Sequence, residues 1–314
     1  MSAPDTRSLA ARLWTYQAER FPLAKTATLL ACFTSASVNA SAHLAGRPLP
    51  GWGAYAVAFL VTLILFFQLR AADEVKDGED DAKYRPERPI PRDLVSLRLI
   101  VGLGVALAPI AALAAFVYHP PLLGVLALVW LWLGLMSAEF FVPEWLKARP
   151  FVYLVSHMAI MPLIDLFVTA TEWLPHAAYP PAALWFFLAL SFANGCVIEF
   201  GRKLWAPQNE RVGVETYSGL YGPRRAGAMW LGAVCFAYVL LVGVGVASGH
   251  GVLVATLGAA MLAYAARAVL AYRAAPTPQA QARMDVVAGL WVFGCYALAG
   301  YAPLLARLFA KVMG

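Results

Sequence analysis

About nine apolar runs, each near the length that crosses a bilayer, constrain this chain more than any other feature. They lie near residues 23–45, 51–69, 97–118, 121–138, 151–172, 182–204, 226–247, 251–272 and 286–306. A segment in hydrocarbon must satisfy its backbone polar groups internally, so these runs predict helices and an all-α polytopic membrane bundle. Composition agrees: 61% of residues are hydrophobic and only 13% charged, about half the charged share of a soluble domain. Cys32, Cys196, Cys235 and Cys295 all fall inside the runs with no pairing pattern, which predicts small packing residues and neither a disulfide framework nor a metal site. The first 21 residues are too polar for a signal peptide. There, Leu9, Leu13, Trp14 and Tyr16 recur among Arg7, Arg12 and Arg20, which suits either an interfacial helix or a solvated tail. The expected organisation is therefore a cytoplasmic N-terminal segment, 1–21, and one transmembrane domain, 22–314.

The net charge of +6 is explained by where the charges fall. Of the 24 Lys and Arg, 21 lie in alternate connections, leaving Arg47, Arg307 and Lys311 opposite. That alternation is the positive-inside pattern, and it predicts a cytoplasmic N-terminus with Gly314 outside. The expected location is the bacterial inner membrane, and nothing favours a nucleic-acid partner. Two connections, 70–96 and 205–223, are long enough to host chemistry, and both fall on the cytoplasmic side. They hold ten of the eighteen carboxylates, so a site is expected at the cytoplasmic mouth.

Nothing breaks the second helix before Pro86, so residues 70–84 can continue it and place Asp73, Asp77 and Asp80 or Asp81 on one face. Like charges one turn apart repel, so a cation should neutralise them. Mg²⁺ takes one or two carboxylates plus phosphate oxygens and water. The basic groups that follow, Lys83, Arg85, Arg88 and Arg92, suit phosphate oxygens. A metal–diphosphate site and a solvated mixed-charge loop both fit this pattern.

Residues 73–81, Asp-Glu-Val-Lys-Asp-Gly-Glu-Asp-Asp, resemble the first aspartate-rich motif of UbiA-type prenyltransferases, N-D-x-x-D-x-x-x-D. Asp73 stands at the family's Asn and Glu74 at its first Asp, while Asp77 and Asp81 match. Arg88-Pro89-Ile90-Pro91 resembles the R-P-L-P segment that follows. Gly213-Val214-Glu215-Thr216-Tyr217-Ser218-Gly219-Leu220-Tyr221-Gly222 resembles the glycine-containing stretch after the second motif. The resemblance implies a UbiA-like bundle around a central cavity. It also implies Mg²⁺ on Asp73, Glu74, Asp77 and Asp81, an isoprenoid diphosphate donor, and a lipid or aromatic small-molecule acceptor. With Asp73, Asp77 and Asp81 central to catalysis, the implied reaction is Mg-dependent prenyl transfer, with terpene cyclisation on the same site as the alternative. A transporter is a different class. It would place charges near the bilayer midplane between repeats, whereas these cluster at one mouth and no repeat is visible.

The second motif departs from the family's D-x-x-x-D, because Trp205 and Asn209 occupy its acidic positions. Glu199 and Glu210 are the nearest acids, with Arg202 and Lys203 between them. Three accounts stand. Glu199 replaces a metal ligand while Arg202 or Lys203 contacts diphosphate, with Asn209 a neutral oxygen ligand; or the diphosphate chemistry has changed; or Glu199 and Lys203 form an i, i+4 ion pair. Within the runs, Asp165, His157, Asn194 and Asn39 stand out, since polar groups in a bilayer either orient a substrate or bond between helices.

Overall fold

The computed structural model describes residues 7–313. The first six residues of the predicted N-terminal segment, and Gly314, the predicted external terminus, lie outside the described residues. The described chain is helical throughout. In order the helices are α1 (Leu9–Arg20), α2 (Leu23–Leu44), α3 (Trp52–Lys76), α4 (Gly78–Tyr84), α5 (Leu97–Tyr118), α6 (Leu122–Ser137) and α7 (Pro143–Lys147). There follow α8 (Pro150–Met158), α9 (Ile160–Trp173), α10 (Leu184–Arg202), α11 (Tyr217–Tyr221), α12 (Pro223–Ala247), α13 (Gly251–Ala274) and α14 (Pro278–Met313).

Every predicted apolar run coincides with a helix, though fewer of them span by length and hydropathy alone. Among the described residues seven helical segments qualify, with α1 and α2, bent by 52° between them, passing together as an eighth. α6 has only 16 residues, about 24 Å at 1.5 Å per residue, short of a typical hydrocarbon core. α8 and α9 form one membrane-length segment with a break at Ala159. Pro162 has no N–H to offer the Met158 carbonyl one turn back, and the break falls there.

The helices close into a ring. Each of α2, α3, α5, α6, α9, α10, α12, α13 and α14 packs on the next, and α14 returns to α2. Further contacts of α2 with α9 and of α10 with α14 draw these four inward. Burial follows: 67% of the apolar window of α10 is buried, against 22% for α5 on the rim. Small residues make the inner seam possible. At Gly300 a Cβ would collide with the backbone of Ala36, so α14 and α2 touch main chain to main chain.

Polar groups inside the bundle bond to one another. Asp165, fully buried on α9, accepts hydrogen bonds from Ser37 Oγ of α2 (2.8 Å) and Tyr296 OH of α14 (2.6 Å). Asn39 accepts one from Tyr55 OH at 2.7 Å. His157 stacks on Tyr153 with centroids 3.9 Å apart. Asp165 and Asn39 thus bond between helices, whereas His157 bonds within its own helix, its Nδ1 2.9 Å from the Tyr153 carbonyl and its Nε2 buried without a partner. Asn194 differs: it is 2% exposed and neither amide atom has a partner.

Candidate active site at the mouth of the bundle

The expected continuous carboxylate face is interrupted. α3 ends at Lys76, Asp77 caps it with non-helical torsions, and α4 starts afresh at Gly78. Gly78, a poor helix interior residue, and the clustered like charges together weaken the helix there. The break sends the four acids to different places.

Glu74 turns inward. At 3% exposure it accepts a hydrogen bond from Arg20 Nε at 2.6 Å and one from Tyr16 OH at 3.4 Å, both on α1. Asp81, also 3% exposed, is bound by Arg88 and lies 3.5 Å from Arg85 Nη1 and 4.0 Å from Arg20 Nη2. Asp73 remains half-exposed, its closest cation Arg70 at 3.4 Å. The Asp77 side chain makes no hydrogen bond or ion pair among the described residues. Its carboxyl is raised above the ordinary aspartate range by burial first and then by the neighbouring Asp81 charge.

Among the described residues no three His, Cys, Asp or Glu side chains converge to hold a metal ion. The four-carboxylate set expected from sequence therefore does not assemble, because arginines already hold Glu74 and Asp81. Mg²⁺ asks less of the protein, one or two carboxylates completed by phosphate and water. Asp73 and Asp77, hard oxygen donors four residues apart and outside the buried ion pairs, fit that demand.

The predicted phosphate-binding residues also divide. Lys83 is exposed, its ammonium 4.9 Å from the Tyr84 ring centroid. Arg92 donates to Glu19 of α1 at 2.8 and 3.0 Å. Arg202 and Lys203 both pair with Glu199, at 2.7 and 3.0 Å, so the ion-pair account is the geometry present. Arg202 still lies near enough for its charge to act on Asp73, which brings the two motif regions together.

Between the two long loops opens a cleft of about 420 Å³. Arg85, Glu87 and Arg88 come to it from the first loop; Trp205, Asn209 and Arg211 come from the second, with Gln281 of α14 at its edge. Asn209 Nδ2 donates to Gln281 Oε1 at 2.8 Å, which orients its amide. The second loop is held rigid from below. Thr216 and Ser218 donate to Glu210 at 2.7–2.8 Å, and Ser218 Oγ accepts from the Trp205 amide at 2.7 Å. This gives Glu210 a structural task. Gly213, at φ 81°, lies against the Tyr84 ring where any Cβ would clash, so the loops meet at a glycine.

Sequence reasoning missed the part that Tyr16, Arg20 and Gln281 play at the site. Arg20 and Gln281 reach the site from 54 and 72 residues away from their partners, a distance no local spacing encodes. Arg211, two residues past Asn209, was visible as a cation beside the departed motif. Chemically, the mouth offers two carboxylates outside the buried ion pairs, Asp77 and the Arg70-paired Asp73, and a cleft with three guanidiniums and the Glu87 carboxylate.

Residues 32–293 match the profile of the UbiA prenyltransferase family. A solved structure of digeranylgeranylglyceryl phosphate synthase superposes with a TM-score of 0.60 at 13% identity, covering 92% of this chain and 99% of that one. At that identity the likeness concerns the fold. No curated protein sequence matches significantly.

Proposed function

This chain belongs to the UbiA prenyltransferase family, and we propose that it transfers a prenyl group from an isoprenoid diphosphate, bound with Mg²⁺ between the two polar loops, to a lipid or aromatic acceptor. One observation carries the reading. The loop that bears the family's first motif and the loop that bears its altered second motif line a single cleft with Arg85, Arg88 and Arg211.

Asp73 and Asp77 would hold Mg²⁺, which when bound supplies charge neutralisation to the leaving diphosphate. Arg88 and Arg211 bind phosphate oxygens through charge-assisted bonds, and Asn209 adds a neutral donor where the family has an acid. Guanidinium in place of a carboxylate-held cation preserves positive charge at that half of the site. As the allylic C–O bond breaks, its electron pair goes to diphosphate, and these donors stabilise the growing negative charge. The carbocation is captured by the acceptor, which then loses a proton. The bilayer and the closed helix ring keep water from the cation.

The test is to incubate the purified protein with prenyl diphosphates of several lengths, Mg²⁺ and membrane lipid extract, and to identify products by mass spectrometry. A prenylated acceptor supports transfer. A cyclic hydrocarbon from the donor alone replaces transfer with cyclisation, and donors recovered intact at every length would reject both.

A further inference from the structure

On the face opposite the motif loops, the ends of α2, α12 and α14 enclose a cleft of about 460 Å³. Only three of the chain's basic residues fall on this side by the charge pattern, and two of them, Arg47 and Arg307, line this one cleft with His43 and His250. Leu49 and Leu304 form its apolar edge. In a protein that places nearly all its cations at the other mouth, such a gathering calls for an anion.

The polar groups that line it are presented in different ways. Arg47 is fixed: its Nε and Nη2 donate to buried Glu172 at 2.7 and 2.9 Å, and Ser41 Oγ donates to the same carboxylate at 2.6 Å. Its Nη1 remains for a ligand. Arg307 is exposed and makes no ion pair among the described residues. His250 Nδ1 lies 2.7 Å from the Ser248 carbonyl, an acceptor only, so that nitrogen carries the proton and Nε2 is left over. His43 Nε2 is buried without a partner. α13 begins directly after His250 with no side-chain cap, which adds the positive end of a 24-residue helix to the wall.

We propose that this cleft binds the phosphate ester of an anionic lipid headgroup. Two guanidiniums and a helix N-terminus suit a tetrahedral oxyanion, and His250 adds a donor at Nε2 when its ring is protonated. The source is a lipid and not free phosphate because Leu49, 41% exposed, and Leu304 give the cleft an apolar edge that acyl chains would cover. The site stands apart from the diphosphate cleft and is independent of the reaction assigned there.

The full-length protein in mild detergent, titrated in native mass spectrometry with phosphatidylglycerol, phosphatidylcholine or inorganic phosphate, tests this. One phosphatidylglycerol should bind preferentially, since the choline ammonium is repelled by the guanidiniums. Arg307→Gln should weaken that binding about tenfold, while Arg283→Gln, exposed at the opposite mouth, should leave it unchanged. Equal binding of the two lipids, or full phosphatidylglycerol affinity in Arg307→Gln, would overturn the proposal. Complete displacement of the lipid by millimolar inorganic phosphate would overturn the lipid as occupant.

Discussion

Lys203 and Arg211 are both cations near the altered second motif, but their neighbours give them opposite consequences. Lys203 is spent on Glu199, a partly exposed pair of the kind that contributes roughly 0–1 kcal/mol. Lys203→Ala should lower thermal stability slightly and leave donor affinity unchanged. Arg211 faces the cleft, where a charge-assisted bond to phosphate is worth roughly 1.5–3 kcal/mol. Arg211→Gln should therefore weaken donor binding about tenfold or more with little effect on Tm. Titrating a prenyl diphosphate against both variants separates the roles; the reverse ranking would return the phosphate to Lys203. Asn194 makes a second test at this scale. Its amide is buried with no partner among the described residues, a cost on the order of 1–3 kcal/mol. Asn194→Leu should hold or raise Tm while reducing use of acceptor. A fall in Tm of several degrees would mean that the amide is bonded in the unliganded protein.

At the scale of elements, α1 is a clamp on the first motif. Arg20 and Tyr16 hold Glu74, and Glu19 holds Arg92, so one short helix ties the end of α3 to the loop beyond α4. Removing Arg20 would strand a buried carboxylate, and breaking such a pair costs about 3–5 kcal/mol. Arg20→Ala should lower Tm markedly, while Arg20→Ala with Glu74→Gln should recover much of the loss; an absent recovery would show that the pair is not the reason. The elements differed in how far the sequence disclosed them. The long apolar helices were legible because hydrocarbon demands length and apolarity from each segment alone. The carboxylate ladder was legible as composition but misread as geometry. Spacing put Asp73, Asp77 and Asp81 on one face, whereas the helix stops at Asp77, and Arg20 claims Glu74 across 54 residues. The cleft between the loops could not be seen at all from spacing, since Asn209 and Gln281 meet only through the closing of α14 onto the ring. Glu199 and Lys203, an i, i+4 pair, were local and so were readable.

At the scale of the whole molecule, the charge asymmetry and the ring of helices give one polar mouth with both motif loops, and the positive-inside pattern predicts that it faces the cytoplasm. A thiol introduced as Glu79→Cys on exposed α4 checks this, since the native cysteines all lie within helices of the bundle. It should react in intact cells only with a membrane-permeant maleimide; reaction with an impermeant one would invert the topology. The central claim is that this mouth ionises an isoprenoid diphosphate with Asp77 as one of two carboxylates available to Mg²⁺. Diphosphate release from a prenyl diphosphate, measured with Mg²⁺ for wild type, Asp77→Asn and Asp93→Asn, tests it most directly. Asp93 lies beyond the cleft at φ 60°, a left-handed conformation that Asn tolerates well, so its variant controls for charge loss without strain. The account predicts release by wild type and Asp93→Asn, falling at least a hundredfold in Asp77→Asn, as expected for several kcal/mol of lost transition-state stabilisation. Equal release in Asp77→Asn and Asp93→Asn would contradict it.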